Sequence, residues 1–414
     1  MKKQSDSQLQ SRLVKASSYS RRRFLAVTTT LGATVAASPI ELWADEAREL
    51  GAPLRPYGER SPFERASRVS LRPGPLSGTG STETPLQDLY GIVTPSSLHY
   101  ERHHSGVPTI NPDKHEVLIH GLVERPLVFT MAELKRLPSV SRIHFLECSG
   151  NSASEYQGEP GINPQQTAGL LSCSEWTGVL LSTLLREVGV KPNARWILAE
   201  GADASRNARS IPLGKAMDDV LIAYGQNGEA VRPEQGYPVR LVVPGWEGNI
   251  NVKWLQRLHL IDQPAMTRDE AADYTDLLTN GKSWQFSFVM EAKSIVTRPA
   301  GGQHLAGPGL YEITGLAWSG RARVAAVEVS TDAGRNWRRV ELQRPNLKNA
   351  VVRFRLPWNW DGNEAVIGSR CIDETGYVQP THAEIIASRG KHARFHYNGI
   401  KWWRLQTSGE LTNA

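Results

Sequence analysis

The stretch Phe145-Leu146-Glu147-Cys148-Ser149-Gly150-Asn151 passes from an apolar segment directly into small and polar residues. A short apolar run followed by Ser-Gly-Asn predicts a buried strand that ends in a turn. Cys148 then stands at the strand end, where backbone N–H groups and nearby cations can stabilise a thiolate. The residues alone allow two interpretations, because a free cysteine at such a place is either an inert buried thiol or a metal ligand.

On both sides of this stretch, between about residues 86 and 264, short β-like runs alternate with helical ones. Thr130 is a suitable N-cap for the helix that follows it. The mixture predicts an α+β domain with an irregular mixed sheet. Strands are predicted at Glu116–Ile119, Ile143–Leu146, Trp196–Ala199 and Val239–Val243, and helices at Thr130–Leu137 and Leu180–Val188.

After about Lys293 the chain changes to short strands separated by turns. The turns Asp332-Ala333-Gly334 and Asp361-Gly362-Asn363 carry the residue types that positive-φ positions need. Short strands at this regular spacing predict an immunoglobulin-like β-sandwich of about 100 residues. Strands are predicted at Tyr311–Ile313, Val324–Ser330, Trp337–Leu342, Val351–Leu356 and Ala365–Ile372.

The N-terminus carries the sequence features of export. Arg21, Arg22 and Arg23 precede a weakly apolar run, Ala26–Ala37, and residues 1–45 are interpreted as a twin-arginine signal peptide. The run is well short of the roughly 20 residues of a membrane span, so we expect no span in the mature chain. A membrane anchor and a basic nucleic-acid patch are the alternatives. We expect a periplasmic protein that folds around its cofactor before export.

The remaining composition narrows the function classes. Residues 1–45 hold seven Lys/Arg and three Asp/Glu, so their removal lowers the formal charge from +6 to +2 and implies no nucleic-acid partner. The three cysteines show no paired spacing, which excludes a zinc set and a haem attachment motif. Residues 46–84 are rich in Pro, Gly, Ser and Arg and predict an irregular arm.

Four segments with distinctive residues occur in order along the chain. They are Tyr100-Glu101-Arg102-His103-His104, Glu147-Cys148-Ser149-Gly150-Asn151, Gly236-Tyr237-Pro238-Val239-Arg240 with its continuation to Gly245, and Asn251-Val252-Lys253-Trp254. Together they resemble the signatures of the sulfite oxidase family. The resemblance implies a sulfite-oxidase-type molybdopterin domain over residues 85–290 and an immunoglobulin-like dimerisation domain over 291–410. It further implies a molybdenum–molybdopterin cofactor and a homodimer formed through the C-terminal domain.

The resemblance also implies a role for single residues. Cys148 is expected to bind molybdenum. Arg102 and Arg389 are expected to bind an anionic substrate, Tyr274 to hydrogen-bond beside the metal and Trp176 to line the pocket. Without the resemblance, these side chains would be interpreted as solvated charges, surface ion pairs or a packed aromatic. The residues expected at the cofactor are Arg102, His104, Cys148, Asp203, Arg240, Asn251, Val252 and Lys253.

Two departures from the family pattern bear on the substrate. Ser152-Ala153 stands where the family has an arginine pair, and Gln235 stands where it has a histidine. A wider, less cationic pocket suits sulfur on a carrier protein, as in the molybdenum subunits that the family contributes to sulfane dehydrogenases. The substrate, carrier-bound sulfane or free sulfite, stays open.

Electrons must leave to a c-type cytochrome subunit, because the chain has no haem, flavin or iron–sulfur motif of its own. Two other functions remain possible on the sequence: an exported molybdenum reductase of sulfoxide-type substrates, and a non-catalytic periplasmic binding module whose Cys148 is structural.

Overall fold

The apolar run before Cys148 forms a nine-residue strand, Ser139–Glu147, in the computed structural model, which describes residues 53–74 and 78–414. The signal peptide predicted at residues 1–45 lies outside this range. Residues 53–64 belong to a separate N-terminal unit and contain no helix or strand, whereas residues 65–414 form a second unit. No helix within the described ranges has the length and apolar character needed to cross a membrane.

The second unit is rich in strands and has few helices. The strands are β1 (Val69–Pro73), β2 (Gly80–Glu83), β3 (Glu101–His103), β4 (Glu116–Gly121), β5 (Leu127–Thr130), β6 (Ser139–Glu147), β7 (Leu171–Leu180), β8 (Trp196–Gly201), β9 (Ala208–Pro212), β10 (Leu221–Gln226), β11 (Glu229–Ala230), β12 (Arg240–Val242), β13 (Leu255–Ile261), β14 (Asp276–Leu277), β15 (Ser283–Trp284), β16 (Lys293–Arg298), β17 (Gly309–Trp318), β18 (Val324–Ser330), β19 (Arg338–Arg339), β20 (Glu341–Leu342), β21 (Val352–Trp360), β22 (Ala365–Asp373), β23 (Trp402–Leu405) and β24 (Leu411–Asn413). The helices are α1 (Met131–Arg136), α2 (Pro164–Ala168), α3 (Leu181–Val188), α4 (Leu213–Asp218) and α5 (His382–Arg389), with a π-helical turn at Asp269–Asp273 and 3₁₀ turns at Leu86–Asp88, Ser96–Leu98, Pro112–Lys114, Ala153–Gln157, Pro233–Gln235 and Gly248–Ile250.

Two five-stranded sheets build the α+β part. The first has the order β11-β10-β7-β6, with β12 also pairing β10. In it β6 and β7 pair without a bulge from Ser139↔Val179 to Glu147↔Leu171, so Cys148 lies one residue past the end of the ladder. The second sheet, β5-β4-β13-β8-β9, is mixed, because β13 runs parallel to β4 and antiparallel to β8. A shared apolar core that includes Leu184, Leu241 and Leu258 packs these elements together.

The C-terminal part is a β-sandwich of a four-stranded sheet, β16-β17-β21-β20, and a five-stranded sheet, β19-β18-β22-β23-β24. Trp318, Trp360 and Trp403 are almost completely buried in its core. The same cluster contains Phe145 of β6 and Leu171 of β7. The sandwich is therefore packed directly on the strand that leads to Cys148. The α+β class and the β-sandwich predicted from the sequence are confirmed.

Two local predictions are wrong. The segment 46–84, predicted to be irregular, contains β1 and β2, which join β3 in a three-stranded sheet. The strand predicted at Trp337–Leu342 is split, because β19 pairs β18 whereas β20 pairs β21, and Val340 crosses between the two sheets. In both places the deciding partner is distant in sequence, and local periodicity does not contain that information.

Other local predictions are confirmed. Thr130 caps α1 in a capping box, with Glu133 N donating to Thr130 Oγ1 at 3.3 Å and Thr130 N to Glu133 Oε2 at 2.9 Å. The two predicted turns have positive φ at Ala333, Gly334 and Gly362. The domain boundaries at residues 85, 290 and 410 stay predictions, because residues 65–414 form a single unit.

Candidate active site

Two neighbouring chain segments pack closely around Cys148. Its N–H donates to the carbonyl of Leu170 at 3.0 Å, which continues the β6–β7 pairing by one residue. Gly248 approaches from the other side, and a Cβ placed there would lie 3.2 Å from Cys148 Cα and 2.8 Å from the Tyr100 hydroxyl. A side chain at position 248 would therefore crowd the Tyr100 hydroxyl and the backbone of Glu147 and Cys148. Burial raises the pKa of the Cys148 thiol, and the Gly150 N–H and Arg102 oppose that rise.

The thiol opens into a cavity with about 680 Å³ of space, part of which is continuous with solvent. The cavity draws its walls from separate parts of the α+β domain, including the end of β6, the β3 region and the segment after β12. Seven of the residues predicted for the cofactor line it: Arg102, His104, Cys148, Asp203, Arg240, Asn251 and Lys253.

Arg240 and Lys253 supply buried positive charge. Arg240 donates to the backbone carbonyls of Gln235 at 2.8 Å and Asn251 at 2.9 Å. Lys253 Nζ donates to the Arg102 carbonyl at 3.1 Å and lies 2.8 Å from His103 Nδ1. Burial lowers the pKa of Arg240 to about 10 and, with the help of Arg240, that of Lys253 to about 7.

Within residues 53–74 and 78–414, neither Arg240 nor Lys253 forms an ion pair. Buried cations without a counter-charge are costly, and an anionic ligand in the cavity would offset that cost. The pair thus marks one end of the cavity as an anion site.

Asp203 and His104 also lie on the cavity wall. Asp203 Oδ2 accepts from Ser105 Oγ at 3.0 Å and from Ser205 Oγ, whereas its buried Oδ1 has no partner among the described residues. His104 Nε2 lies 3.1 Å from the Tyr274 hydroxyl. Burial and Arg102 lower the pKa of His104 to about 4, so the ring is neutral at pH 7. The wall therefore offers a free acceptor and a neutral imidazole to a ligand.

A wider cleft opens beside this cavity and shares Arg102, His104, Cys148 and Tyr274 with it. Its outer walls add the exposed side chains of Arg268 and Arg394. The cleft gives solvent and substrates a route to the Cys148 side of the cavity.

Comparisons with known proteins agree with this geometry. Residues 104–268 match the oxidoreductase molybdopterin binding domain, and residues 284–401 match the Mo-co oxidoreductase dimerisation domain. The fold is similar to that of the sulfane dehydrogenase SoxCD from Paracoccus pantotrophus, with a TM-score of 0.88 and 42% identity over 91% of this chain and 99% of that chain. The chain belongs to the sulfite oxidase family of molybdoenzymes.

Curated members of this family are more distant in sequence. The mitochondrial sulfite oxidase of Drosophila melanogaster is 31% identical over 71% of this chain and 56% of its own length. The NADH nitrate reductase of Ulva prolifera is 33% identical over 62% of this chain and 33% of its own length. The chain therefore spans only between one third and just over half of these two relatives.

The cofactor of a sulfite oxidase family member is molybdenum bound to molybdopterin, and the residues of this cavity fit it. The pterin carries a terminal phosphate, which the buried side chains of Arg240 and Lys253 can bind. The free Oδ1 of Asp203 can accept from a pterin N–H. Cys148, which lines the same cavity, would supply a thiolate to the metal, and metal binding would displace its proton.

Four of the predicted family residues do not face the cavity with their side chains. Trp176 is fully buried, and the centre of its ring lies 4.9 Å from the guanidinium carbon of Arg240. Its Nε1 donates to the His144 carbonyl. The amide of Asn251 accepts from Val243 N and donates to Glu247 O, and Val252 packs in the core. These residues shape the wall from behind.

Arg389 is the fourth residue. It is buried at the end of α5, stacks on Trp284 at 4.5 Å and lies 3.8 Å from an Asp276 carboxylate oxygen. It lines neither the cavity nor the wider cleft. Arg394, which the sequence argument missed, is the arginine of this C-terminal segment that reaches the cleft.

A buried ion cluster behind the cavity was also missed. Arg209 is completely buried and pairs with Glu247 at 3.1 Å and Glu270 at 2.9 Å, which stand 38 and 61 positions away in the sequence. A lone arginine in a short strand gives no local signal of such partners. The close packing at Gly248 was missed for the same reason, although glycine there is compatible with a tight turn.

Proposed function

We propose that this chain is the molybdenum subunit of a periplasmic sulfane or sulfite dehydrogenase. It oxidises a sulfur centre, carried on a protein or present as sulfite, by oxygen-atom transfer and passes the electrons to a c-type cytochrome. The observation that carries the proposal is the open cleft that leads to Cys148. Likeness to sulfane dehydrogenase SoxCD over almost the whole of that chain supports the same direction of chemistry.

The wall of the cleft fits a bulky sulfur donor. At the two positions where the family has arginines, Ser152 is turned away and bonded to Thr167 O at 2.7 Å and Lys293 Nζ at 2.8 Å, and Ala153 presents only a methyl group to the cleft. The cleft therefore has more room and less positive charge next to Cys148 than an arginine pair would leave. A sulfur atom at the tip of a carrier segment could enter where a small free dianion would be held weakly.

The chain's own residues position the substrate. Arg102, on the boundary of cavity and cleft, is the proposed contact for an anionic sulfur group, and Arg394 and Arg268 attract it at the mouth. Tyr274 and neutral His104 present hydrogen-bonding groups on the same wall. When bound, the molybdenum cofactor supplies the oxygen-atom transfer and takes up two electrons. The substrate roles of Arg389 and Trp176 stay predictions.

The proposed partners follow from the remaining features. Among the described residues no group of three or more His, Cys, Asp or Glu side chains could hold another metal, so a separate cytochrome is the proposed acceptor. The match to a dimerisation domain supports a homodimer, and a sulfur-carrier protein is the proposed donor. Export by the twin-arginine signal would place this chain in the periplasm, where it would meet these partners.

The test is reduction of the purified, cofactor-loaded protein, followed by stopped-flow absorption. We expect sulfite and a persulfidated carrier peptide to reduce the protein once, and steady turnover to require a c-type cytochrome or an artificial one-electron acceptor. The relatives that are nitrate reductases make the opposite direction the competing function. Oxidation of the dithionite-reduced protein by nitrate or a sulfoxide, without reduction by either sulfur compound, would refute the proposal.

The matched control is Cys148→Ser. This change removes the thiolate and leaves Arg240 and Lys253 in place, so we expect nearly normal pterin content but loss of turnover. Wild-type turnover by the Ser variant would eliminate Cys148 as the metal ligand.

A further inference from the structure

A cluster of buried charges lies directly behind the cavity, where the proposed chemistry does not use it. The Arg209 guanidinium is completely buried. Its Nε donates to Glu270 Oε1 at 2.9 Å, and its Nη2 donates to Glu270 Oε2 at 3.2 Å and to Glu247 Oε1 at 3.1 Å. The two-pronged contact with Glu270 leaves the guanidinium almost no freedom to rotate. Apolar residues of similar volume often stabilise an interior as well as a buried ion pair does, so the contacts that this cluster makes with its surroundings are of interest.

The Arg209 guanidinium packs against the ring of Tyr274. Its central carbon lies 4.6 Å from the centre of the Tyr274 ring, and Phe395 contacts that ring at a centroid distance of 5.6 Å. With its ring in contact with both groups, Tyr274 places its hydroxyl 3.1 Å from His104 Nε2 on the cavity wall. The position of the phenol therefore depends on where Arg209 and Phe395 stand.

The same cluster fixes the backbone that carries Tyr274. Glu270 belongs to the π-helical turn that immediately precedes Tyr274, and Glu270 Oε1 also accepts from Ser210 N at 2.7 Å. Asp269 of this turn accepts from Ala208 N at 2.8 Å. Strand β9 thus anchors the turn through both its backbone and Arg209.

Glu247 connects the cluster to the wall of Cys148. Its Oε2 accepts from Asn249 Nδ2 at 3.0 Å, and Asn249 also donates to Ser149 Oγ at 3.1 Å, next to the thiol. Gly248, between the two, is the residue that approaches Cys148. One guanidinium thereby joins the segment of Tyr274 to the segment that supports the metal ligand.

We infer that Arg209 is a positioning residue for Tyr274. Fixed by Glu270 and Glu247, it stacks on the phenol ring and sets the distance of the hydroxyl from His104 and from the Cys148 side of the cavity. Turnover as a readout rests on the proposed function, but the placement of Tyr274 does not depend on which substrate is oxidised.

The primary experiment is the crystal structure and thermal unfolding of cofactor-loaded Arg209→Lys and Arg209→Met. Neither the single ammonium of Lys nor the thioether of Met can reproduce the two-pronged contact with Glu270 or the stacking on Tyr274. We therefore expect both variants to bind molybdenum and pterin but to lose the 3.1 Å contact between Tyr274 and His104. The control is Arg353→Met, which removes an equally buried arginine from the sandwich, where it binds the carbonyls of Leu89 and Gly91. An unmoved Tyr274 in both Arg209 variants would overturn the inference.

A kinetic cycle separates positioning from general damage. We expect Arg209→Lys to lower kcat about 10- to 100-fold with a smaller change in KM, and Arg353→Met to leave kcat unchanged. In a Tyr274→Phe background, Arg209→Lys should lower kcat hardly any further, because no Tyr274 hydroxyl remains to be positioned. Equal losses in both backgrounds would overturn the inference. Failure of wild-type protein to oxidise any sulfur compound would sink the proposed function while leaving the crystallographic comparison valid.

Discussion

Among single residues, Lys253 has the most unusual environment. It is enclosed with Arg240 and, within the part of the chain that the structure describes, has no carboxylate at ion-pair distance. Burial, reinforced by Arg240, lowers its pKa from 10.5 to about 7. A lysine with a lowered pKa binds a proton more weakly in the folded protein than in the unfolded chain. The cofactor-free protein therefore gains stability as pH rises from about 7 to about 10.5, and the full penalty of the buried charge is present below pH 7.

Binding of the pterin phosphate should reverse this penalty, since an anion favours the charged lysine. We predict that the rise in Tm caused by the cofactor is larger at pH 6.5 than at pH 9. The measurement is calorimetric unfolding of loaded and cofactor-free protein at both values. In Lys253→Met, the rise in Tm caused by the cofactor should be smaller and should depend less on pH. A cofactor effect on Tm that is equal at the two pH values in wild type would contradict the role of Lys253 at the phosphate.

Among elements, strand β6 and the turn after it depend on the β-sandwich. Glu147, the last residue of β6, is buried and accepts from Lys293 Nζ at 3.3 Å and from Trp318 Nε1 at 2.6 Å, both in the C-terminal part. Asn151, beyond Cys148, donates to the same carboxylate at 2.9 Å. The Glu147 carboxylate thus closes the turn that holds Cys148 and joins it to the sandwich.

We predict that Lys293→Met destabilises the protein by about 3–5 kcal/mol, because it leaves the Glu147 carboxylate buried without its counter-charge. The double variant Glu147→Gln with Lys293→Met should lose less than the sum of the two single changes. Guanidinium unfolding of the cofactor-free protein measures both. Arg125→Met, in an exposed pair with Glu187, is the control and should cost at most about 1 kcal/mol. Strict additivity of the two buried changes would show that Lys293 and Glu147 do not act as a pair.

At the scale of the whole molecule, the function proposed here requires a folded, cofactor-loaded protein in the periplasm. The proposed export route depends on residues 1–45, which lie outside the described structure. The prediction of this route is therefore based on Arg21 and Arg22 in the sequence. We predict that Arg21→Lys combined with Arg22→Lys leaves a folded, molybdenum-containing protein in the cytoplasm. Fractionation of cells with molybdenum analysis of each fraction is the measurement. Efficient periplasmic delivery of the double variant would argue for export in an unfolded state and against cofactor insertion beforehand.

Much of the site could be predicted because its residues occur in short segments that resemble the signatures of the sulfite oxidase family. That resemblance implies roles for Arg102, His104, Cys148, Arg240 and Lys253, and all five line one cavity. Arg389 was expected from its segment as well, but which arginine of that segment reaches the cleft depends on how α5 packs, and there Arg394 is the one that does so. Local sequence gives residue chemistry but not the direction of a side chain at the end of a helix.

The sequence by itself determined the α+β and β-sandwich architecture and the strand end at Cys148, because periodicity and turn residues are local properties. The cations expected at a phosphate rest on the resemblance of short motifs to the family. Only the tertiary structure decided the pairing of β1 with β2, the change of sheet at Val340 and the contact of Arg209 with the Tyr274 ring. Each of these depends on a partner far away in the chain. Such a contact forms only when the whole unit closes and water is excluded from buried charges, and no window of sequence carries that information.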